Sequence, residues 1–484
     1  MSPAATGDLR KLYLGGKWVA TNQQIEVRNP ATTQVFARVA AVGRAEVAEA
    51  LATAEKAAGS WREVPALGRA RLLAKVAEIL ERRSEEIART LTLENGKPLA
   101  QSRTEVRVSA DHFLWFAGEC QRAYGRVVPQ QVPNKRHLVL RVPVGVVGAI
   151  SPWNFPLMLS ARKVAPALAA GCPVVLKPAS ATPLCALHLA EAIDEAGLPP
   201  GVFQVVAGNA AEIGGELLAN PRCRKVTFTG STEVGQELVR GAAKQLTKLS
   251  LELGGHAPVL VFADADLETA VQGALIAKIR NTGQSCIAAN RIYVQRSIAE
   301  PFLAALVKRT AALKIGNGLD DGVEIGPLIN ESALQHALAQ IDQALQAGAR
   351  LMCGGKRWTG GTGYFLEPTV LADVPVDAEC MREETFAPVT PVSIFDDESE
   401  AVRLANDTRY GLAAYAFTRD LSRAWRLSEQ LEFGTVCIND SVPSTSQSPF
   451  GGTKQSGWGR ELGAEGLDAF LETKHISIAI DSHT

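Results

Sequence analysis

The sequence predicts an α/β protein of at least two domains, in which helices cover both faces of parallel sheets. From Val144 onward, nearly continuous apolar runs alternate with alanine-rich segments that have helical spacing. Strands buried on both faces read as such unbroken runs, and this is typical of parallel sheets. The 484 residues exceed the length at which one hydrophobic core keeps growing, so two or three domains are expected. The sequence shows no internal repeat that would favour another architecture.

Helices are expected before this alternating region, and a short β-rich insert separates the two. Apolar residues recur at helical spacing from Val47 to Ala58 and from Gly68 to Glu94, and Asn95-Gly96-Lys97-Pro98 supplies a stop. Between Tyr124 and Val146 the pattern changes to short β-like runs bounded by prolines. Because this insert interrupts the alternation of helices and strands, we expect it to project from the main body.

The alternating region divides into two series. The first series predicts strands at Val144–Ile150, Pro173–Leu176, Gly201–Val206, Lys225–Thr229 and Leu246–Leu253, with helices around Leu159–Ala170, Pro183–Ala196, Ala211–Ala219 and Val234–Ala243. A second series runs from about Pro258 to Asn439. The glycine- and serine-rich segment Ser441–Gly459 also carries aromatic residues, which favours a folded loop over a linker.

Composition and charge exclude several classes of function. Fifty basic and 51 acidic side chains give a net charge of −1, which supplies no general attraction to nucleic acid or an anionic membrane. The eight cysteines are scattered without a Cys-x-x-Cys pair, which argues against structural zinc and for a reducing compartment. Met1–Asp8 has no signal-peptide pattern, and the longest largely apolar stretch, Val164 to Leu176, is too short to span a bilayer. We expect a cytoplasmic protein without a metal site.

The first candidate for chemistry is the segment Asn281–Arg291, which carries Cys286 at its centre. A polar, glycine-containing loop that exposes one thiol between apolar runs suits a nucleophile. Free cysteine is nevertheless among the most buried residue types, so this thiol considered alone is more often a small core residue.

Two predicted strand ends offer further polar groups. Lys225–Gly235 reads as a buried strand, a tight turn at Gly230-Ser231 and a helix start, and a helix N-terminus attracts phosphate. A purely structural turn is equally compatible, because the ordinary Gly-x-Gly-x-x-Gly fingerprint is absent from the sequence. Glu252 precedes a Gly-Gly pair at the end of its strand and is a candidate general base, although most such glutamates are simply solvated.

Asn154 and Lys177 also follow predicted strands. Asn154 stands between two prolines, which would fix the direction of its side-chain amide as oxyanion stabilisation requires. In isolation, this motif is more often a turn in which the asparagine satisfies its own backbone. Lys177 either contacts a ribose or phosphate or is an ordinary surface lysine.

Taken together, these motifs resemble those of NAD(P)-dependent aldehyde dehydrogenases in order and spacing over nearly the whole chain. The matching motifs are Pro152-Trp-Asn-Phe-Pro, Lys177-Pro-Ala-Ser, Phe228-Thr-Gly-Ser-Thr, Leu251-Glu-Leu-Gly-Gly, Gly283-Gln-Ser-Cys, Glu383-Glu-Thr-Phe and Pro449-Phe-Gly-Gly. The resemblance implies a Rossmann-like cofactor domain, an α/β catalytic domain and a β-flap for oligomerisation. The corresponding boundaries are 1–123 with 143–253 for the cofactor domain, 254–455 for the catalytic domain, and 124–142 with 456–484 for the flap and C-terminal tail.

The resemblance also implies a mechanism. Cys286 as thiolate attacks the aldehyde carbon, while the Asn154 amide and the Cys286 backbone N–H hold the oxyanion. Hydride then leaves for the nicotinamide, and Glu252 activates the water that hydrolyses the resulting thioester. Lys163 and Glu461 match positions that form a proton path from Glu252 in the family.

The implied cofactor is NADP and/or NAD, and its contacts follow from the matching positions. These contact positions are Ile150, Trp153, Lys177, Ser180, Gly208, Gly230, Ser231, Leu253, Glu384 and Phe386. Ser180 stands where many NAD-specific members have a glutamate that repels a 2′-phosphate. Serine removes this repulsion, so we expect NADP to be accepted and even preferred. Ala387 departs from the glycine of many members and could alter the clamp on the nicotinamide side.

The substrate prediction depends on Arg162, Arg291 and Ser444. Together they match the carboxylate-binding trio of succinate-semialdehyde dehydrogenases, and unpaired buried arginines are costly without an anionic ligand. The alternative is that each arginine makes an internal salt bridge. We predict a short ω-carboxylated aldehyde, first succinate semialdehyde, with glutarate semialdehyde and 2-oxoglutarate semialdehyde as close competitors.

Other members of the fold family remain as alternatives. A broad-specificity aldehyde dehydrogenase, a coenzyme A-acylating enzyme and a catalytically silent relative are all conceivable, but Glu252 argues against the acylating type and the intact Cys286, Glu252 and Asn154 against the silent type. Ala288 replaces the second cysteine that forms a switching disulfide in some relatives, so no such switch is expected. The expected partners are a small-molecule substrate and further copies of this chain in a homodimer or homotetramer, with neither nucleic acid nor membrane.

Overall fold

The structure, a computed structural model, describes residues 9–480 and contains alternating helices and strands. The strands are β1 (Leu9–Arg10), β2 (Leu12–Leu14), β3 (Lys17–Val19), β4 (Gln23–Arg28), β5 (Val35–Ala41), β6 (Arg126–Val128), β7 (Lys135–Pro143), β8 (Val146–Ile150), β9 (Val174–Lys177), β10 (Phe203–Val205), β11 (Cys223–Thr229), β12 (Lys248–Glu252), β13 (Ala257–Val261), β14 (Ala289–Gln295), β15 (Arg350–Cys353), β16 (Thr369–Ala372), β17 (Val389–Phe395), β18 (Ala413–Phe417), β19 (Thr435–Ile438), β20 (Gly457–Trp458) and β21 (Leu471–Ala479). The α-helices are α1 (Arg44–Glu63), α2 (Ala66–Arg82), α3 (Ser84–Asn95), α4 (Leu99–Glu119), α5 (Pro156–Ala170), α6 (Leu184–Ala196), α7 (Ala210–Ala219), α8 (Thr232–Ala242), α9 (Leu267–Ile279), α10 (Ala299–Ala311), α11 (Glu331–Gln346), α12 (Glu398–Asn406), α13 (Leu421–Gln430) and α14 (Gly463–Asp468). The prediction made on Met1–Asp8 lies outside the described residues.

The first large sheet confirms the parallel arrangement expected from the first apolar series. Its strand order is β10-β9-β8-β11-β12-β20, and all pairs are parallel except the short β20 at the edge. The chain fills one side from β8 to β10 and then returns to the other side of β8 with β11. Ligands of open α/β sheets bind outside the carboxyl ends of the strands at such a switch point. The predicted cofactor positions Ile150, Lys177, Gly230, Ser231 and Leu253 lie at or just after the carboxyl ends of these strands.

The second large sheet contains the later series of strands. Its order is β15-β16-β17-β14-β13-β18-β19, and only the pairing of β15 with β16 is antiparallel. Strand β14 lies at its centre and is buried along almost its whole length. The two sheets and their covering helices explain why apolar runs dominate both series, and the predicted α/β class is confirmed.

The insert between the helices and the first sheet forms a separate small sheet. Strands β6, β7 and β21 pair antiparallel in the order β21-β7-β6. Strand β7 pairs with the C-terminal strand along nine residues, from Pro143 opposite Leu471 to Lys135 opposite Ala479. We call this three-stranded sheet the flap.

The N-terminal helices form a layer behind the first sheet. The periodic region predicted as one helix from Gly68 to Glu94 is divided at Arg83 into α2 and α3. Helix α4 packs against α2, α3 and α5, and its inward face is almost fully buried. Helix α5 begins at Pro156 rather than near Leu159, because proline is well suited to the first helical position.

Three further observations concern residues 9–480. No helix there combines the length and apolar composition needed to cross a bilayer. The same residues contain no group of three or more histidine, cysteine or acidic side chains placed to hold a metal ion. All eight cysteines are free thiols.

Candidate active site

The strand ends of the first sheet bring together the positions predicted to bind the adenosine side of a dinucleotide. Ile150 and Lys177 end the neighbouring strands β8 and β9 and are register partners. The Ser180 hydroxyl donates to the carbonyl of Gly208 at 3.4 Å. Burial lowers the pKa of Lys177, and no carboxylate among residues 9–480 offsets that effect. A buried cation of this kind fits the phosphate or ribose of a nucleotide.

The end of β11 provides the predicted pyrophosphate site. Ser231 caps α8 by accepting a hydrogen bond from the backbone N–H of Val234 at 3.4 Å. The N-terminus of this helix therefore lies at the carboxyl end of β11, and a helix N-terminus attracts anions. A Cβ on Gly230 would lie 2.3 Å from the ring of Phe228, which requires glycine there. Leu253 packs against Gly235 in the first turns of the same helix.

Three further predicted contacts are Trp153, expected at the pyrophosphate, and Glu384 with Phe386, expected on the nicotinamide-ribose side. The rings of Trp153 and Phe386 meet edge to face with centroids 5.4 Å apart. Glu384 accepts a hydrogen bond from the Gly255 N–H at 3.2 Å, and burial raises the pKa of its carboxyl to about 8. Ala387 is fully buried beside Phe386, which has a positive φ of 50°. These residues together fit a dinucleotide laid across the switch point.

The candidate nucleophile lies in a turn with unusual backbone geometry. Asn281 and Thr282 adopt left-handed φ values of 49° and 58° in the 3-10 turn before Cys286. Such conformations cost about 1–3 kcal/mol each and persist only where the surroundings fix them. Burial raises the pKa of the Cys286 thiol to about 12; the carboxylates of Glu384 and Glu252 also raise it, whereas the Arg162 charge opposes them. The thiol is therefore protonated at neutral pH, and its proton must move to a base before it can attack.

The strand end that carries Glu252 lies directly against this turn. A Cβ on Gly255 would be 2.1 Å from the carbonyl oxygen of Cys286, so the Gly-Gly pair allows the two segments to approach. Glu252 is buried, and neither of its carboxylate oxygens has a hydrogen-bond partner among residues 9–480. Burial, followed by the nearby Glu461 charge, raises the pKa of Glu252 well above its usual range. An unpartnered buried carboxyl beside a thiol is suited to accept a proton.

The predicted proton path begins beside this carboxyl. Lys163 is fully buried, and its ammonium group donates to Glu461 at 2.5 Å and to the Thr229 hydroxyl at 2.6 Å. Both charges affect the ionisation of Glu252. The structure thus brings Lys163 and Glu461 to the predicted base, and their role in proton transfer remains a prediction.

Asn154 lies on the other side of the thiol turn. Its side-chain Nδ2 donates to the carbonyl of Gln284 at 3.2 Å, two residues before Cys286. One amide hydrogen is therefore engaged with the loop of the nucleophile, and the second is left for a ligand. This placement fits the predicted oxyanion donor.

Arg162 is a buried guanidinium group to which no carboxylate of residues 9–480 is bound. It is only 2% exposed, and it donates to the hydroxyl of Ser444, to Nε2 of His112 at 3.4 Å and to the sulfur of Met158 at 4.0 Å, while its guanidinium carbon lies 4.6 Å from the centre of the Phe450 ring. Nδ1 of the same ring lies 2.8 Å from the Ser446 hydroxyl. Burial and the Arg162 charge hold the pKa of His112 well below its usual value, so the ring is neutral and accepts from the arginine. The alternative of an internal salt bridge does not describe this arginine.

Arg291 does not take the place that the sequence predicted. Its guanidinium group is fully buried and donates to the carbonyls of His256, Leu404 and Ala405 at 2.9–3.1 Å. The two latter carbonyls belong to the last turn of α12, where a cation satisfies groups that the helix leaves free. Arg291 lies inside the central strand β14, and its guanidinium group donates hydrogen bonds to carbonyl groups within the protein core. This placement does not favour the predicted role of Arg291 in binding the substrate.

Arg280 is the arginine that the sequence analysis missed. It follows the end of α9, is half-buried, and its guanidinium carbon lies 5.9 Å from the centre of the Phe155 ring. Its charge lowers the pKa of Arg162, so the two guanidinium groups share one neighbourhood, as does Cys286. Local spacing gives no signal that selects Arg280 over Arg291, because both lie within six residues of Cys286.

A surface cleft leads to this neighbourhood. It has a volume of about 440 Å³ and is lined by residues of α4 and of the loop that carries Ser444, namely Val108, Asp111, Leu114, Trp115 and residues 444–447. The loop predicted at Ser441–Gly459 is thus folded and contributes to the wall of the site.

Comparisons with known proteins agree with this geometry. The sequence profile of the aldehyde dehydrogenase family matches residues 18–476. The glutarate-semialdehyde dehydrogenase of Pseudomonas aeruginosa is 47% identical over 97% of this chain and 97% of its own length. The NADP(+) succinate-semialdehyde dehydrogenase GabD of Escherichia coli is 46% identical over 97% of this chain and 98% of its own length. The crystal structure of succinate-semialdehyde dehydrogenase from Burkholderia pseudomallei superimposes with a TM-score of 0.96 at 45% identity, covering 97% of this chain and 98% of that one.

Proposed function

The chain belongs to the aldehyde dehydrogenase family, and on that premise we propose that it oxidises a short ω-carboxylated aldehyde, with succinate semialdehyde as the first choice. It is an NAD(P)-dependent oxidoreductase. Glutarate semialdehyde is the nearest competitor and 2-oxoglutarate semialdehyde the next, because one methylene or one carbonyl changes the fit of the same anion little.

The observation that carries the substrate class is the unpaired charge of Arg162. A guanidinium group that is 2% exposed and hydrogen-bonded only to neutral groups of the described residues is poorly compensated. A carboxylate on the substrate supplies the missing charge through a bidentate contact. Arg280 adds a second positive charge in the same neighbourhood. An aldehyde held by these two groups at its far end would present its carbonyl toward Cys286.

The residues of the site support a sequence of proton and acyl transfers. Glu252 accepts the Cys286 proton, and the thiolate forms a thiohemiacetal whose oxyanion is held by Asn154 Nδ2 and the Cys286 N–H. Bound NAD(P) supplies the hydride acceptor for this oxidation. Glu252 passes the thiol proton to the Lys163–Glu461 pair, where the Glu461 carboxylate accepts it, and the Glu252 carboxylate then activates water against the thioester.

We also propose that NADP is accepted at least as well as NAD. Ser180 leaves no negative charge at the ribose position, and Lys177 is a buried cation without a carboxylate partner among residues 9–480. Steady-state kinetics with both cofactors test this, and a large preference for NAD would refute it. The Ser180→Glu variant should shift the preference toward NAD.

The wider organisation of the protein is proposed on the same grounds. We propose a cofactor domain of 1–123 with 143–253, a catalytic domain of 254–455 and a flap with C-terminal tail of 124–142 with 456–484, in which the flap mediates a homodimer or homotetramer. A cytoplasmic location is consistent with the free thiols of all eight cysteines.

The proposed substrate class is tested by recording NAD(P)H absorbance with pairs of charged and uncharged aldehydes. Succinate semialdehyde should give a much higher kcat/KM than butanal, and glutarate semialdehyde a higher value than pentanal. Arg280→Ala should lower kcat/KM for the semialdehydes roughly 30-fold, the equivalent of about 2 kcal/mol for a lost charge-assisted contact, and that for butanal only slightly. Equal losses on both substrates would refute the anion pocket, and similar rates for all aldehydes would favour a broad-specificity enzyme. A requirement for coenzyme A would indicate the acylating type.

A further inference from the structure

The main-chain carbonyl of Asn154 is a point of contact between three parts of the chain. It accepts hydrogen bonds from Nζ of Lys97 at 2.7 Å and from Nδ2 of Asn281 at 2.7 Å. Nδ2 of Asn95 approaches the same oxygen at 3.5 Å and donates to the carbonyl of Trp153 at 3.0 Å. The residue whose side chain is aimed at the oxyanion is therefore held through its backbone as well.

Lys97 is part of a buried ion pair that also holds the start of α5. Its ammonium group is 2.6 Å from Oε2 of Glu105, and both side chains are almost completely buried. Oε1 of Glu105 accepts from the backbone N–H groups of Leu157 and Met158 at 3.0 and 3.2 Å. These N–H groups lie in the first turn of α5, where the helix itself provides no partners. One ion pair thus fixes the chain on both sides of the segment from Asn154 to Met158.

The second donor, Asn281, connects this segment to the nucleophile. Asn281 has a left-handed φ of 49°, and its Nδ2 also approaches the Gln284 carbonyl at 3.3 Å. The same Gln284 carbonyl accepts from the side chain of Asn154. The segment around Asn154 and the Cys286 turn are therefore joined by two hydrogen bonds. The main-chain carbonyl of Asn154 accepts one from Asn281, and its side-chain amide donates the other to Gln284.

We propose that Lys97, with Glu105, and Asn281 are positioning residues that act on the reaction through Asn154. A donor to an oxyanion is effective only when it is held where the negative charge develops, and small displacements reduce the rate strongly. A buried ion pair contributes little net stability compared with apolar residues of similar size, so this pair is poorly explained by stability alone. Lys97 contacts the carbonyl of Asn154 and Glu105 contacts the N–H groups of Leu157 and Met158, so the pair holds the chain on both sides of this segment, which fits a role in fixing geometry. This inference rests on the proposed oxyanion role of Asn154.

The test is a double-mutant cycle between the ion pair and Asn154. In Lys97→Met/Glu105→Gln both charges are removed together, while the glutamine oxygen can still cap α5. We expect kcat to fall roughly 10- to 100-fold with KM for the aldehyde changed less than threefold. In an Asn154→Ala background the same double substitution should lower kcat no more than about twofold, because the residue on which the pair acts is missing.

Two readouts separate positioning from a general structural effect. The rate at which iodoacetamide alkylates Cys286 and the affinity for NADP should stay within about twofold of the parent protein. Lys225→Met is a matched control, since Lys225 is also a buried lysine but donates to Ser250 at 2.6 Å and does not contact Asn154. It should keep kcat within threefold, and a loss as large as that of the ion-pair variant would count against the proposal.

Asn281→Gly provides an independent arm in case the ion-pair variant does not fold. Glycine tolerates the left-handed φ while removing the amide, so kcat should fall at least tenfold, again with little further loss in the Asn154→Ala background. Equal losses in both backgrounds, or no loss in either variant, would overturn the positioning role. If Asn154→Ala itself keeps the parental kcat, then the proposed oxyanion role fails instead, so the two failures can be distinguished.

Discussion

At the scale of single residues, the ionisation of Glu252 should control the acid side of the pH profile. Its base form is the carboxylate, which exists above its pKa, and that pKa is raised by burial and by the charge of Glu461. Activity should therefore rise with pH through a value above the usual range for glutamate. Glu461→Gln removes a negative charge and leaves the Lys163 cation unpaired; both effects lower the Glu252 pKa.

The acid limb of kcat in Glu461→Gln should accordingly move to lower pH by roughly one unit. The measurement is kcat against pH from 5 to 9, with the exposed Glu237→Gln as a control that keeps the parental profile. A shift toward higher pH would contradict the assigned electrostatics.

Arg291 should behave as a structural residue. Arg291→Ala leaves three buried carbonyls of His256, Leu404 and Ala405 without their donor. We expect the free energy of unfolding to fall by about 3 kcal/mol. Thermal and urea denaturation measure this loss, whereas the ratio of kcat/KM for semialdehyde over butanal should stay unchanged in the folded fraction. A selective loss on the semialdehyde would return Arg291 to the substrate site.

The difference between Arg280 and Arg291 shows what local spacing can and cannot predict. Both arginines lie within six residues of Cys286, and the motif alone does not say which one points to the ligand. The residues after Arg291 form the central strand β14, whose two faces are both covered. The side chain of a cation at the start of such a strand is buried. Only the tertiary structure reveals the α12 carbonyls that accept hydrogen bonds from it.

At the scale of elements, the strands of the first sheet were predicted within a few residues because buried parallel strands have a distinct apolar pattern. The start of α5 was placed too late, since its first turn is stabilised by Glu105 from α4. On α4, Glu105 and His112 lie two helical turns apart and face α5, where Glu105 contacts the first turn of the helix and His112 contacts Arg162. In sequence they are ordinary polar residues on a helix, so their partners could not be identified.

The Cys286 turn depends on a glycine that allows close contact with the segment after Phe386. Gly283 has a φ of 78°, and a Cβ there would lie 2.3 Å from the carbonyl oxygen of Ala387. Gly283→Ala must displace one of the two backbones, so kcat should fall by at least 100-fold. Activity and circular dichroism of the folded variant measure this.

Gly215→Ala is the matched control for this substitution. Gly215 lies inside α7, and a Cβ there meets no atom within 4 Å. Alanine in a helix is favoured over glycine, so this variant should gain about 0.5–1 kcal/mol of stability at unchanged activity. Full activity in Gly283→Ala would show that the thiol turn tolerates movement against its neighbour.

At the scale of the whole molecule, the site is built from segments that are far apart in sequence. Gly255, after β12, lies against the carbonyl of Cys286, Asn154 donates to the carbonyl of Gln284, and Arg162 donates to Ser444. Periodicity predicts each element but carries no information on which strand ends face each other. The resemblance to the family predicted which segments form the site. It was least reliable at Arg280 and Arg291, because two arginines lie near Cys286 in the sequence.

The flap should mediate assembly because, among residues 9–480, its two outer strands have no further strand partner and some of its apolar side chains are exposed. Strands β6 and β21 are the outer strands, and the side chain of Val127 on β6 is 75% exposed. An exposed edge with apolar side chains favours pairing with another chain.

A lysine at this edge opposes such pairing by its charge. Val127→Lys should therefore lower the mass of the parental assembly in analytical ultracentrifugation. Leu421→Lys is the control, because Leu421 is 83% exposed on α13, outside the flap, and its mass should equal that of the parent. An unchanged mass for Val127→Lys would place the interface on another surface.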